Sequence, residues 1–248
     1  SRPFLSLPTY ASDGAQSLII QRMTQPAHSS GSPRHAAHPP LARKQRGFVF
    51  WAIWVLIASY AVYPTANWLA SLREQRFDFI TPWDGLIPLV PEFIFVYFSF
   101  FPFLVLPYWL VQQPAISLLG KRQVAGTLIC GLVFVLFPAN LAFDRVIPEV
   151  EPYRSIFSAM FFVDKPHNLL PSLHIVYTAL TGLAICQAQW PKGRVWLCVA
   201  IALWSVAICA STMLVHQHHI LDVVTALLLV AVLYGVIRPA PAELKHPA

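Results

Sequence analysis

VWLCVAIALWSVAICASTMLVHQHHILDVVTALLLVAVLYGVI, running from Val195 to Ile237, decides the fold. It holds two apolar runs, Val195 to Val215 and Ile220 to Ile237, separated by a polar hinge of His216, Gln217, His218 and His219. Each run is close to the ~20 residues that a helix needs to cross hydrocarbon. Inside a bilayer no water satisfies backbone N–H and C=O groups, so runs of this kind are read as helices. The second carries a carboxylate, Asp222, near its start. An ionisable residue in such a setting is costly and marks function by default.

Outward from this pair, four more segments have the same character: Gly47 to Ala70, Leu86 to Val111, Val124 to Pro138, and Leu169 to Gln187. The third is short, and the second contains Pro88, Pro91, Pro102 and Pro107, each of which ends or kinks a helix. Of the 248 residues 56% are apolar and 11% charged, which excludes an ordinary soluble domain. The expected architecture is all-α and integral to the membrane, with six transmembrane helices. A disordered tail over 1–46, rich in Ser, Pro, Ala and His, precedes a membrane domain over 47–238 and a short tail over 239–248. Ser1 in place of Met points to a trimmed or partial start.

Charge and cysteine usage narrow the possibilities. The net charge of +6 is spread over tails and inter-span loops, so nucleic acid is not the expected partner. The nine cations Arg43, Lys44, Arg46, Lys121, Arg122, Lys192, Arg194, Arg238 and Lys245 fall on one side of a six-span chain, against five on the other: Arg73, Arg76, Arg145, Arg154 and Lys165. Positive-inside bias places the first set, and both termini, in the cytoplasm, as in a bacterial inner membrane. Cys130, Cys186, Cys198 and Cys209 lie in apolar runs without a C-x-x-C pair and read as packing residues.

Two polar clusters then face the outer side. On a helix, positions four apart share a face, so His218 and Asp222 are expected to touch. The carboxylate would fix one tautomer and leave the second imidazole nitrogen free to attack phosphorus. His219, three before Asp222, is an alternative partner. A metal site built on His216, His218, His219 and Asp222 is disfavoured, because adjacent histidines point apart on a helix. The other cluster, Pro171-Ser172-Leu173-His174, opens the Leu169 to Gln187 segment. Pro in a first turn, free N–H groups and the positive end of the helix dipole make an anion site. Ser172 adds a hydroxyl, and His174 is placed to protonate a departing alkoxide.

These residues resemble the type 2 phosphatidic acid phosphatase superfamily, whose pattern is K-x6-R-P, P-S-G-H and S-R-x5-H-x3-D. Pro171-Ser172-Leu173-His174 matches the second element with Leu173 for Gly, and Ser211-Thr212 with His218 and Asp222 matches the third with Thr212 for Arg. The P-S-L-H spelling is similar to the inositol-phosphorylceramide-synthase-like branch. In the first element only Arg145 survives, with Pro138 at the Lys position and Val146 at the Pro position.

The resemblance implies a helical bundle of that family and a metal-independent, cofactor-free reaction on a lipid phosphate at the extracytoplasmic face. His218 would form a phosphohistidine, Asp222 would orient it, and His174 would act as acid and base. Arg145, Ser172, Leu173, Ser211, Thr212 and Lys165 would hold the phosphate, with Arg154 an alternative cation. Hydrolysis of a phosphomonoester or pyrophosphate lipid is the expected reaction, and head-group transfer to an alcohol the alternative. A lipid transporter or scramblase using the His/Asp cluster as a proton relay is the alternative from another class.

Overall fold

The computed structural model describes residues 40–141, 143–164 and 166–239; among these the chain is helical, with no β-strand. The expected tails lie mostly outside the described residues, but the first helix, α1 (Pro40–Ser71), begins ahead of the expected boundary at Gly47. Four stretches are long and apolar enough to cross a membrane: Gln45–Ser71, Phe93–Leu110, Ala115–Leu136 and Val195–Leu214. They expose large apolar side chains, Trp54, Phe101, Leu132 and Trp204 among them, as a lipid-facing surface requires.

Proline chemistry explains the second stretch. Pro88 and Pro91 keep the chain out of helix until Phe93, so the expected start at Leu86 moves inward. The rod then runs as three short helices, α2 (Phe93–Phe98), α3 (Phe100–Val105) and α4 (Pro107–Leu110), with Pro107 at the first turn of the last. A missing N–H at Pro102 and at Pro107 interrupts the ladder near each junction.

The third helix of the membrane set, α5 (Ala115–Leu136), begins at Ala115 rather than at Val124. Lys121 and Arg122 had marked a loop, yet both are helical. Arg122 is buried, donating from Nε and Nη2 to the Ile237 carbonyl at 3.1 and 2.9 Å. Its guanidinium carbon sits 3.5 Å from the Tyr234 ring centroid. A cation is at home there, because the last carbonyls of a helix have no partner within it.

Close approach of α1 and α5 rests on glycine. A Cβ at Gly120 would collide with the Trp51 ring, and one at Gly131 with Val62 Cγ1. Small residues let helices pack where no hydrophobic force drives them together.

Between these helices and the chain's end lie α6 (Tyr153–Val163), α7 (Leu173–Gln189), α8 (Val195–Leu214) and α9 (Ile220–Val236). The segment expected to cross from Leu169 is helical only from Leu173. α7 is central, touching α3, α4, α5, α8 and α9 and burying residues around its whole circumference. A polar chain threads the packing. Ser59 Oγ meets the Tyr177 hydroxyl at 2.8 Å, that hydroxyl meets Thr127 Oγ1, and Gln123 Nε2 donates to Thr181 Oγ1 at 3.3 Å. α6 falls between the expected segments ending at Pro138 and beginning at Leu169; its Phe157 and Met160 pack on Ile94 and Tyr97 of α2 and on Val215.

Candidate functional site

The first turn of α9 organises the site. His218 Nδ1 lies 3.1 Å from Asp222 Oδ2, and both residues are buried. The same oxygen accepts the His219 backbone N–H at 2.8 Å, while the His219 side chain takes the Asp222 backbone N–H in a reciprocal cap. A carboxylate can only accept, so the contact favours the proton of His218 on Nδ1 and turns Nε2 away from Asp222. His219 Nδ1 is 3.6 Å from the carboxylate, and burial holds its imidazole below the usual range, as suits a neutral cap. Between the two partners left open by spacing, the geometry favours His218.

A second carboxylate, not foreseen from the sequence, anchors this turn from outside. Asp84, buried in a short turn ahead of α2, accepts the Ile220 N–H at 2.8 Å through Oδ1. Its Oδ2 accepts the Thr81 N–H and hydroxyl at 2.7 and 2.8 Å. Burial acts to raise this carboxyl, but the donors from Ile220 and Thr81 outweigh it and hold it below the usual range.

The start of α7 docks on the same turn. Ser172 N–H donates to the Asp222 carbonyl at 3.2 Å, and the Ser172 hydroxyl is buried with no partner among the described residues. Leu173, the first residue of α7, is half-buried against the main core. The His174 ring centroid is 5.9 Å from that of His218, and its Nε2 lies 3.0 Å from the Tyr97 hydroxyl. Tyr97 and Phe100 flank the imidazole, each at 4.9 Å between centroids. The segments from Pro171 to His174 and from His218 to Asp222 are thus one assembly, joined through the hydrogen bond of Ser172 to Asp222.

A small cavity completes the site, walled by Tyr63, Arg145, Asp164, Pro166, Asn168, Leu169, Gln217 and His218. Its inner space is about 10 Å³, about the room of one water. Tyr63 of α1 donates its hydroxyl to Asp164 Oδ1 at 2.5 Å, and Asn168 Nδ2 donates to the Tyr63 carbonyl at 2.8 Å. Burial pushes the Asp164 carboxyl above the usual range, against the opposing pull of Tyr63, His218 and Arg145. Arg145 Nη1 donates to the Phe161 carbonyl at 3.3 Å, and its guanidinium carbon is 4.8 Å from the Phe161 ring centroid. Its Nε is buried without a partner among the described residues.

The hydroxyls of two further expected phosphate ligands are turned to the backbone. Ser211 and Thr212 direct their hydroxyl protons to the carbonyls of Ile208 and Cys209, at 2.7 and 2.8 Å. The Thr212 carbonyl instead shapes the hinge, accepting the N–H groups of Gln217 and His218 at 2.9 and 3.1 Å. Arg154 is exposed on α6, and Lys165 lies outside the described residues. Among the described residues no group of three His, Cys, Asp or Glu is placed to hold a metal. Tyr63, Tyr97 and Asp164 were likewise not foreseen from the sequence; the signal present was a carboxylate and an amide, Asp164 and Asn168, shortly before P-S-L-H.

No protein-family model matches the chain, and no curated protein or solved structure does.

Proposed function

We propose that this chain is a membrane lipid phosphate phosphatase of the type 2 phosphatidic acid phosphatase kind, working through a phosphohistidine. The observation that carries this reading is the 3.1 Å contact of His218 Nδ1 with Asp222, beside a cavity that Arg145 also lines. His218 Nε2 attacks the phosphorus of a lipid phosphate, and Asp222 stabilises the imidazolium character that develops. Arg145, the Ser172 hydroxyl and the first N–H groups of α7 meet charge on the phosphoryl oxygens. An acid protonates the leaving oxygen, the role that the family resemblance gives to His174, and water then discharges the phosphohistidine.

The proposed topology has six crossings: α1, the α2–α4 rod, α5, α7, α8 and α9. The 17-residue helices α7 and α9 are at the short end of what spans a bilayer. With Arg122 drawn into the packing of α5, nine inner cations become eight against five; the bias keeps its sign and favours a site at the outer face.

Purified protein in detergent is expected to release phosphate from labelled phosphatidic acid without added metal. Release that persists in His218→Ala, or that disappears on chelation, overturns the reading. Transfer to an alcohol is the second reading, favoured by the Asp164 carboxylate in the cavity, which can accept a hydroxyl proton. Chromatography of labelled products with and without inositol separates the two. A transporter or scramblase would move lipid in liposomes with no phosphate release.

A further inference from the structure

The proton chemistry of the second displacement needs a base beside the cavity, and His174 is not in its wall. Its Nε2 is engaged with Tyr97, within a sleeve of Tyr97 and Phe100. The carboxylate that does line the cavity, together with His218, is Asp164. Tyr63 holds one of its oxygens at 2.5 Å and so fixes the orientation of the other.

Resting on the phosphohistidine reading, we propose that Asp164 is a catalytic residue, the base that takes the proton of the acceptor hydroxyl when the phosphohistidine is discharged. The acceptor O–H bond breaks and its proton goes to the Asp164 carboxylate. The freed oxygen pair forms the new O–P bond. The P–N bond to His218 breaks, its electrons returning to the imidazole, and Asp164 releases its proton to solvent. A carboxyl raised by burial is suited to this work, because a base is most useful when its pKa lies nearer the working pH.

The test isolates the second step with p-nitrophenyl phosphate, whose leaving group needs no proton. Asp164→Asn is expected to give a burst of nitrophenolate equal to the enzyme present, followed by turnover slowed about 100-fold, with phosphohistidine accumulating. Wild-type turnover in Asp164→Asn, or loss of burst and turnover together, overturns the assignment. Tyr63→Phe provides a second measurement should that variant misfold. The groups facing Asp164 are Tyr63 from α1, Tyr97 from α2, Arg145 from the loop after α5, and His218 from the hinge before α9. Tyr63 lowers the carboxyl by its hydrogen bond, so its loss raises the carboxyl and moves the acid limb of phosphohistidine breakdown to higher pH. An unmoved limb counts against Asp164. Absence of wild-type turnover on both p-nitrophenyl phosphate and phosphatidic acid counts instead against the phosphatase reading.

Discussion

Asp84 Oδ1 accepts the backbone N–H of Ile220 at 2.8 Å, joining positions 136 apart in the chain. One of the four N–H groups that a helix start leaves unpaired is thereby met by a carboxylate from another element. The consequence is that the turn bearing His218 and Asp222 is held from outside its own helix.

Replacing Asp84 with Ala is expected to cost about 1–3 kcal/mol, since buried donors lose their acceptor. Unfolding in mixed detergent measures this. The carboxyl is lower in the folded chain than its ordinary value of 3.8, so its contribution is present above that value and is lost as pH falls through the folded value. Asp84→Asn should therefore flatten the acid side of the stability profile; an unchanged profile would contradict this account.

Asp222→Asn keeps an oxygen able to accept the His219 N–H but no longer imposes one tautomer on His218. Activity should fall about 100-fold or more while the far-ultraviolet helical signal stays constant. Equal activity would remove Asp222 from the mechanism.

For Arg145→Ala we expect kcat/KM lower by about 10- to 100-fold, the worth of a charge-assisted hydrogen bond. Arg145→Lys should restore only part, because a point charge cannot reproduce the guanidinium fork. Full recovery by Lys would show that charge alone suffices.

Gly120→Ala should destabilise the α1–α5 contact by about 1–3 kcal/mol, because the added methyl meets Trp51. Gly235→Ala is the control, as nothing lies within 4 Å of the position and alanine is the better helix former. Comparing their midpoints in one detergent separates steric from propensity effects.

Local chemistry made much of the helix content readable. Apolar runs announced α1, α8 and α9, and the four-residue spacing of His218 and Asp222 anticipated their contact. Elsewhere the deciding partner is distant. Arg122 looked like a loop residue because its acceptor, Ile237, lies 115 positions away. Tyr63 and Asp164 are 101 positions apart, and neither residue type points to the other. α6 was missed because its 11 residues are too few for a crossing, although its buried face is apolar.

Asp222 Oδ2 serves both the His218 ring and the N–H of His219. Opening of the first turn of α9 therefore frees the imidazole as well, so the integrity of that turn and the orientation of the ring are lost as one event.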